Sequence, residues 1–182
     1  MKNIISKILI VMGLLIVIGS LMLTTHFKKV DNSALLSYEE KIENKEVTEE
    51  LNPGDGVGII DIESINLRNI IVESIAYKNL KYHVCHFEDS ALPGENGNFA
   101  LAGHSSTYYQ NQVFNNLHEA KVGDKIKITT VEDEFVYTIT KMFTVESDAV
   151  EVLDQDMSKK EITIVTCTNG GKQRLIVKGE IL

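Results

Sequence analysis

Hydrophobic and polar positions alternate in three different rhythms along the chain. The first is an unbroken apolar run. Ile8 to Leu23 (ILIVMGLLIVIGSLML) carries no charge over sixteen residues, and Ile4 and Ile5 extend its character past Lys7. With Lys7 and Lys28 snorkelling at its two ends, the segment can cross a bilayer. Leu21-Met22-Leu23-Thr24 offers poor small-residue choices for a signal peptidase. The expectation is an uncleaved anchor over residues 1–25, with a cleaved signal peptide as the alternative. Charge sets the orientation poorly, because Lys2, Lys7 and the amino terminus nearly balance Lys28 and Lys29. A very short tail ahead of the bulk of the chain fits a single-pass protein whose domain lies outside.

The second rhythm is polar. Residues 26–54 include the highly charged stretch SYEEKIENKEVTEEL (37–51), and their scattered apolar positions include Leu35, Leu36, Ile42, Val47 and Leu51. No heptad is sustained, so a solvated helical or flexible stalk is expected in preference to a coiled coil. The turn-forming NPGDG at 52–56 marks the boundary of the next unit.

The third rhythm, over residues 55–182, has a period of two. Val57–Ile62, Asn69–Ile75, Asn98–Ala102, Asp124–Thr130, Glu134–Met142, Glu161–Cys167 and Arg174–Ile181 read as short strands. In KIKIT the isoleucines fall on one face and the lysines on the other. Helix is confined to short pieces, Tyr77–Tyr82 and Gln112–Leu117. Seven or eight short strands predict an all-β domain with short helices, closed as a barrel or packed as a sandwich.

Composition narrows the partners. Hydrophobic content of 43% suits a folded chain, and a formal charge of −8 with a pI near 5.1 argues against nucleic acid. The longest basic runs are the pairs Lys28-Lys29 and Lys159-Lys160.

Candidate chemistry begins at TIVTCTNGGKQRLIV (163–177), which reads as two antiparallel strands around a six-residue loop. Such a hairpin sets Cys167 and Arg174 opposite each other at the loop. A guanidinium beside a sulfur lowers the thiol pKa and can bind an oxyanion. A rim arginine that only solvates the hairpin fits the spacing equally well. A thiolate nucleophile usually works with a histidine, and the candidates are His26, His83, His86, His104 and His118. His26 borders the apolar run and His118 falls in or near a short helix. His104 closes NFALAGH, where a strand delivers it through Gly103 into a polar run. A structural or surface histidine would look the same.

Three segments taken together, ALPGENGNFALAGH (91–104), TIVTC (163–167) and Arg174, resemble the sortase family of cysteine transpeptidases. Ile164 stands where the family pattern has leucine. The resemblance implies a closed eight-stranded β-barrel over 55–182, behind the transmembrane helix and charged stalk. It also implies Cys167 as nucleophile, His104 as general acid/base and Arg174 as the group that holds the oxyanion or positions substrate. Members of the family cleave a Leu-Pro-x-Thr-Gly-type signal between Thr and Gly, hold the acyl half as a thioester and pass it to an amine. The implied partners are surface proteins bearing that signal and an amine acceptor such as a peptidoglycan precursor, met at the outer face of the cell membrane. No cofactor is required. Some members use calcium, for which Glu132, Asp133, Glu146, Asp148 and Glu151 could supply oxygen ligands.

Within the family, pilus-polymerising members tend to carry an Asp-Pro-aromatic lid and a second, C-terminal hydrophobic segment. Here Pro53 and Pro93 lie elsewhere and Trp is absent. Only 63 positions separate His104 from Cys167, too few for the long helical insertion of some other members. A compact class A or class D type that anchors surface proteins is therefore expected, with pilin polymerisation as the enzymatic alternative. A non-catalytic, membrane-tethered peptide-binding barrel is the alternative outside enzymes. Substrate choice is assigned to the loops Ser105–Asn116 and Thr144–Asp156.

Cys85, between His83 and His86 in KYHVCHFEDS, admits three readings. They are a core thiol, part of a metal site that the local geometry disfavours, and a partner of Cys167 in an inactivating disulfide.

Overall fold

Every predicted strand is present in the computed structural model, which describes residues 2–48, 50–105 and 113–181. In chain order the strands are β1 (Gly56–Ile62), β2 (Leu67–Glu73), β3 (Val84–His86), β4 (Gly97–Ala102), β5 (Lys125–Thr129), β6 (Glu134–Glu146), β7 (Lys160–Thr168) and β8 (Gln173–Glu180). They close into a barrel in the order β1-β2-β3-β4-β7-β8-β6-β5, the eight-stranded architecture expected. Closure pairs every strand with a neighbour on each side over at least part of its length. The β2–β3 and β4–β7 pairs are parallel and the rest antiparallel.

Inward positions fill the barrel with one continuous core. Ile60, Ile71, Phe99, Leu101, Ile162 and Ile164 belong to it and are nearly or fully buried. β4 (GNFALA) and the first half of β7 (EITIV) are buried almost throughout, apolar on the inner face and mixed on the outer one, because both faces are covered. Their outer face lies under the β6–β7 connection, where Thr163 Oγ1 donates to Asn98 Oδ1 at 2.7 Å. Asn98 Nδ2 in turn donates to the carbonyls of Val152 and Asp154, both at 3.3 Å. Two buried polar side chains thus satisfy each other and pin a loop over the sheet.

Three local expectations change. β3 is an eighth, three-residue strand inside KYHVCHFEDS; it pairs with β2 and β4 and completes the ring between them. β6 continues to Glu146, past the predicted end at Met142, through a bulge between Ile139 and Lys141. The extra residue reverses the alternation, so that Tyr137 and Ile139 point inward before it and Met142 after it. The predicted Gln112–Leu117 helix is instead a turn followed by a 3-10 turn over Leu117–Glu119. Its first residue and most of the Ser105–Asn116 loop lie outside the described residues. The other short helix, α2 (Tyr77–Leu80), lies within the predicted span.

The N-terminal part is one helix, α1 (Lys2–Asn44). Within it Ile5–Met22, of mean hydropathy 2.4, is long and apolar enough to cross a membrane. Its C-terminal turns correct the expectation of a solvated stalk. Leu35, Tyr38 and Ile42, spaced to share one helix face, pack on Ile59, Ile70, Val72 and Cys85 outside the barrel. Tyr38 is only 6% exposed, and its hydroxyl donates to Val57 O at 2.9 Å. Arg68 on β2 joins Glu39 of the helix, at 2.7 Å, to Asp61 of β1. One apolar residue per turn suffices to dock a charged helix, which is why average composition misleads here.

Candidate active site

The β4–β7 ladder ends with the pair Ala102↔Val165. Gly103 N–H still donates to Val165 O at 3.2 Å, so the two chains stay side by side beyond the sheet. Two residues past the last pair, His104 and Cys167 therefore lie on neighbouring segments at one end of the barrel. Two hydroxyls bracket them: Thr166 Oγ1 donates to Gly103 O at 2.7 Å, and Ser105 Oγ donates to Cys167 O. The His104 carbonyl is held too, accepting from Phe114 N–H at 3.1 Å.

Gly103 is required by space. A Cβ there would lie 2.6 Å from Phe114 Cδ2 and 2.7 Å from Val113 Cγ2. The glycine before His104 thus lets the turn at 113–114 close against the strand end.

Arg174 stands across from Cys167. The two are register partners in the β7–β8 hairpin, and one further pair, Thr168↔Gln173, lies between them and the turn. The expected six-residue loop is accordingly four residues, 169–172, with Asn169, Gly170 and Gly171 all at positive φ. Arg174 Nη1 donates to Gly171 O at 2.8 Å and to Gln173 O at 3.0 Å, which fixes the guanidinium on the hairpin rim. Both residues project from the face opposite Ile164 and Val177, that is, outward from the barrel core. Cys167, His104 and Arg174 are each partly exposed. Cys167, His104 and Arg174 thus lie on adjoining chain segments at one end of the barrel, each partly exposed.

The Leu92-Pro93-Gly94 segment lies elsewhere. It precedes β4, and seven extended residues, about 20 Å, separate Gly97 from His104. Gly94 has φ 77°, its N–H donates to Tyr137 Oη at 2.8 Å, and a Cβ would fall 2.0 Å from Phe135. This part of the motif builds the turn that starts β4.

Cys85 is a core thiol. It is fully buried on β3 beneath Tyr38, and burial pushes its pKa up to about 12. Both cysteines are free. The disulfide reading fails on register: Cys85 pairs with Ala102, which pairs with Val165. Two strand spacings and two residues put Cys85 and Cys167 about 12 Å apart, against a limit near 7 Å. The metal reading fails because neighbours in a strand face opposite ways. His86 turns into the barrel, where Nδ1 meets Glu73 Oε2 at 2.7 Å and Nε2 lies 3.1 Å from Ala91 O. Among the described residues no three His, Cys, Asp or Glu side chains are grouped to hold a metal ion.

The acidic residues singled out for calcium separate as well. Glu132 and Asp133 precede β6, while Glu146 ends it, some 13 residues on, and Asp148 and Glu151 follow. Those last three line an open cleft of about 570 Å³ with Thr144, Val145 and Ala149. His118 is exposed, and its Nδ1 meets Asn115 O at 3.0 Å. The side chain of His26 lies outside the described residues.

Comparison with known proteins identifies the family. The sortase-domain family model matches residues 60–182. Sortase D of Bacillus subtilis is 33% identical over 114 residues, covering 63% of this chain and 55% of that protein. Sortase A of Streptococcus agalactiae is 31% identical over 158 residues, covering 85% of this chain and 60% of that protein. The chain thus spans little more than half the length of these curated relatives. Among solved structures, a Clostridium perfringens Sortase D5 transpeptidase superposes with a TM-score of 0.78 at 43% identity. That match covers 85% of this chain and 99% of the other. By sequence, by barrel topology and by the segments that meet at the barrel's end, the chain belongs to the sortase family.

Proposed function

We propose that the protein is a membrane-anchored cysteine transpeptidase that cleaves a Leu-Pro-x-Thr-Gly-type sorting signal between Thr and Gly. It then joins the new acyl end to an amine. The observation that carries this reading is the convergence of Cys167, His104 and Arg174 at neighbouring strand ends, on the accessible side of the sheet.

In the proposed reaction the Cys167 thiol passes its proton to His104 as the sulfur attacks the threonine carbonyl carbon, and the carbonyl electrons move to oxygen. The oxyanion is stabilised by the Arg174 guanidinium, which the hairpin carbonyls already hold in place. Collapse of the adduct breaks the Thr–Gly C–N bond, and His104 protonates the departing glycine amine. The product is a thioester on Cys167. An incoming amine gives its proton to His104, attacks the thioester carbonyl and expels the thiolate. One amide is broken and one is made, so no oxidant or hydrolytic energy is needed.

In this proposal residues 1–25 form the anchor, 26–54 the linker and 55–182 the catalytic unit, which faces the cell-wall side of the membrane. The acceptor is an amine of a peptidoglycan precursor. The 43% identity to the D5 enzyme favours a class D type over class A. The chemistry uses no cofactor; calcium at Glu146, Asp148 and Glu151 is the alternative, tested by adding calcium or chelator to the same assay.

The assay uses the full chain in detergent, reductant and a panel of quenched sorting-signal peptides, with and without an added amine. Cleavage with an amine-linked product, abolished in Cys167→Ala, is expected. Cleavage that survives in Cys167→Ala overturns the mechanism, and peptide binding without turnover supports the non-catalytic barrel.

A further inference from the structure

We infer that Ser105 is a positioning residue for the proposed reaction: its hydroxyl, bonded to the backbone carbonyl of Cys167, sets the spacing between Cys167 and His104. The inference rests on the functional reading above, since it assigns Ser105 to the same Cys–His site.

Parallel strands are held by main-chain bonds that recur every second residue. In the β4–β7 pair that series reaches Gly103 N–H to Val165 O. The next acceptor in the series is Cys167 O, and in a regular ladder the Ser105 N–H would meet it. Here the Ser105 hydroxyl donates to that carbonyl in its place. On the opposite side of His104, the Thr166 hydroxyl donates to Gly103 O. The two bonds run in opposite directions, one from each chain, and His104 and Cys167 lie between them. Phe114 N–H donates to His104 O at the same end.

Each of these bonds has a distinct consequence. The Thr166 bond is buried and close to the ladder, so its loss would be felt as stability. The Ser105 bond lies one residue beyond His104, at the partly exposed end. Removing it frees the chain after His104 to move away from Cys167 and leaves the barrel core intact. Proton transfer and nucleophilic attack both fall steeply when the partners are misplaced by an ångström. The loss should therefore appear in the rate of chemistry and not in peptide binding.

The test compares the full chain in detergent with Ser105→Ala, Ser105→Thr and His104→Ala. Two readouts are taken: kcat and KM on a sorting-signal peptide, and the pH profile of Cys167 alkylation by iodoacetamide, followed by peptide mass spectrometry. Ser105→Ala should lower kcat by about tenfold with KM within about twofold. Its alkylation profile should move toward that of His104→Ala. Ser105→Thr, which keeps the hydroxyl, should restore most of both. The inference is overturned if Ser105→Ala matches the parent in kcat and in profile, or if Ser105→Thr loses as much as Ser105→Ala. Should the parent turn over no peptide at all, the transpeptidase reading fails while the alkylation profile still decides the role of Ser105. Dependence on the hydroxyl supports it, and an unchanged profile overturns it.

Discussion

Cys167 and Arg174 are paired across the β7–β8 hairpin, one rung inside the turn, and Arg174 is bound to the turn's own carbonyls at Gly171 and Gln173. The hairpin therefore presents the thiol and the guanidinium as one preformed unit. A side chain free to wander would lose entropy at the moment of reaction; this one is already held.

The planar fork matters more than the charge in that arrangement. Arg174→Ala should lower kcat/KM by about 100-fold or more. Arg174→Lys should recover less than a tenth of the parent value, because a single ammonium nitrogen on a flexible stem lacks the planar fork in which Nη1 holds both carbonyls while the other nitrogens stay free to face an oxyanion. Steady-state kinetics on a sorting-signal peptide gives the ratios. Equal activity in the lysine variant would mean that charge alone suffices.

The ring of Tyr38 couples the long N-terminal helix to the barrel. Tyr38→Ala should destabilise the full chain by about 2–4 kcal/mol through lost burial. Tyr38→Phe, which loses only the bond to Val57 O, should cost about 1 kcal/mol. Denaturant unfolding in detergent checks both values. A freely rotating stalk would show neither loss.

Gly103→Ala tests the steric account of the site. The added Cβ would press on Phe114 and Val113, so the turn at 113–114 must shift or the strand end must retreat from Cys167. A drop of about 1–3 kcal/mol in stability is expected together with a loss of activity beyond tenfold. Retained activity would mean that the turn yields without moving His104.

Cys85 should behave as a hidden thiol. With its pKa pushed up to about 12, roughly one molecule in ten thousand carries the thiolate at pH 8, against about a tenth for an ordinary thiol of pKa 9. The native protein should therefore be alkylated at Cys167 and spared at Cys85, with both reacting after unfolding. The folded-state pKa is raised, so the neutral thiol's contribution to stability is fully present below about pH 9. It is lost as the pH climbs from there towards 12. Alkaline unfolding should weaken correspondingly in Cys85→Ala.

Much of this architecture could be read in the sequence, and the exceptions have physical causes. Strands such as β5, KIKIT, carry their inward and outward faces in strict alternation. β3 carries three residues, fewer than two full periods, so no alternation could mark it, although Val84 and Cys85 are both buried. The bulge before Lys141 reverses the phase of β6, which is why its last four residues looked like loop. The docked face of α1 is set by Leu35, Tyr38 and Ile42 alone, against a strongly charged background. The candidates His104, Cys167 and Arg174 stand out in the sequence through motif resemblance and strand-end position. Ser105 was legible only as the start of a loop, because a hydroxyl aimed at a carbonyl 62 residues away leaves no local pattern.

The most direct measurement of the central claim is the mass of the acid-quenched full chain after brief incubation with a sorting-signal peptide and no amine. A species heavier by the acyl half of the peptide, mapped to Cys167 and discharged on adding an amine, is the predicted result. Peptide cleavage with no adduct at Cys167, or with the adduct on another residue, would contradict it.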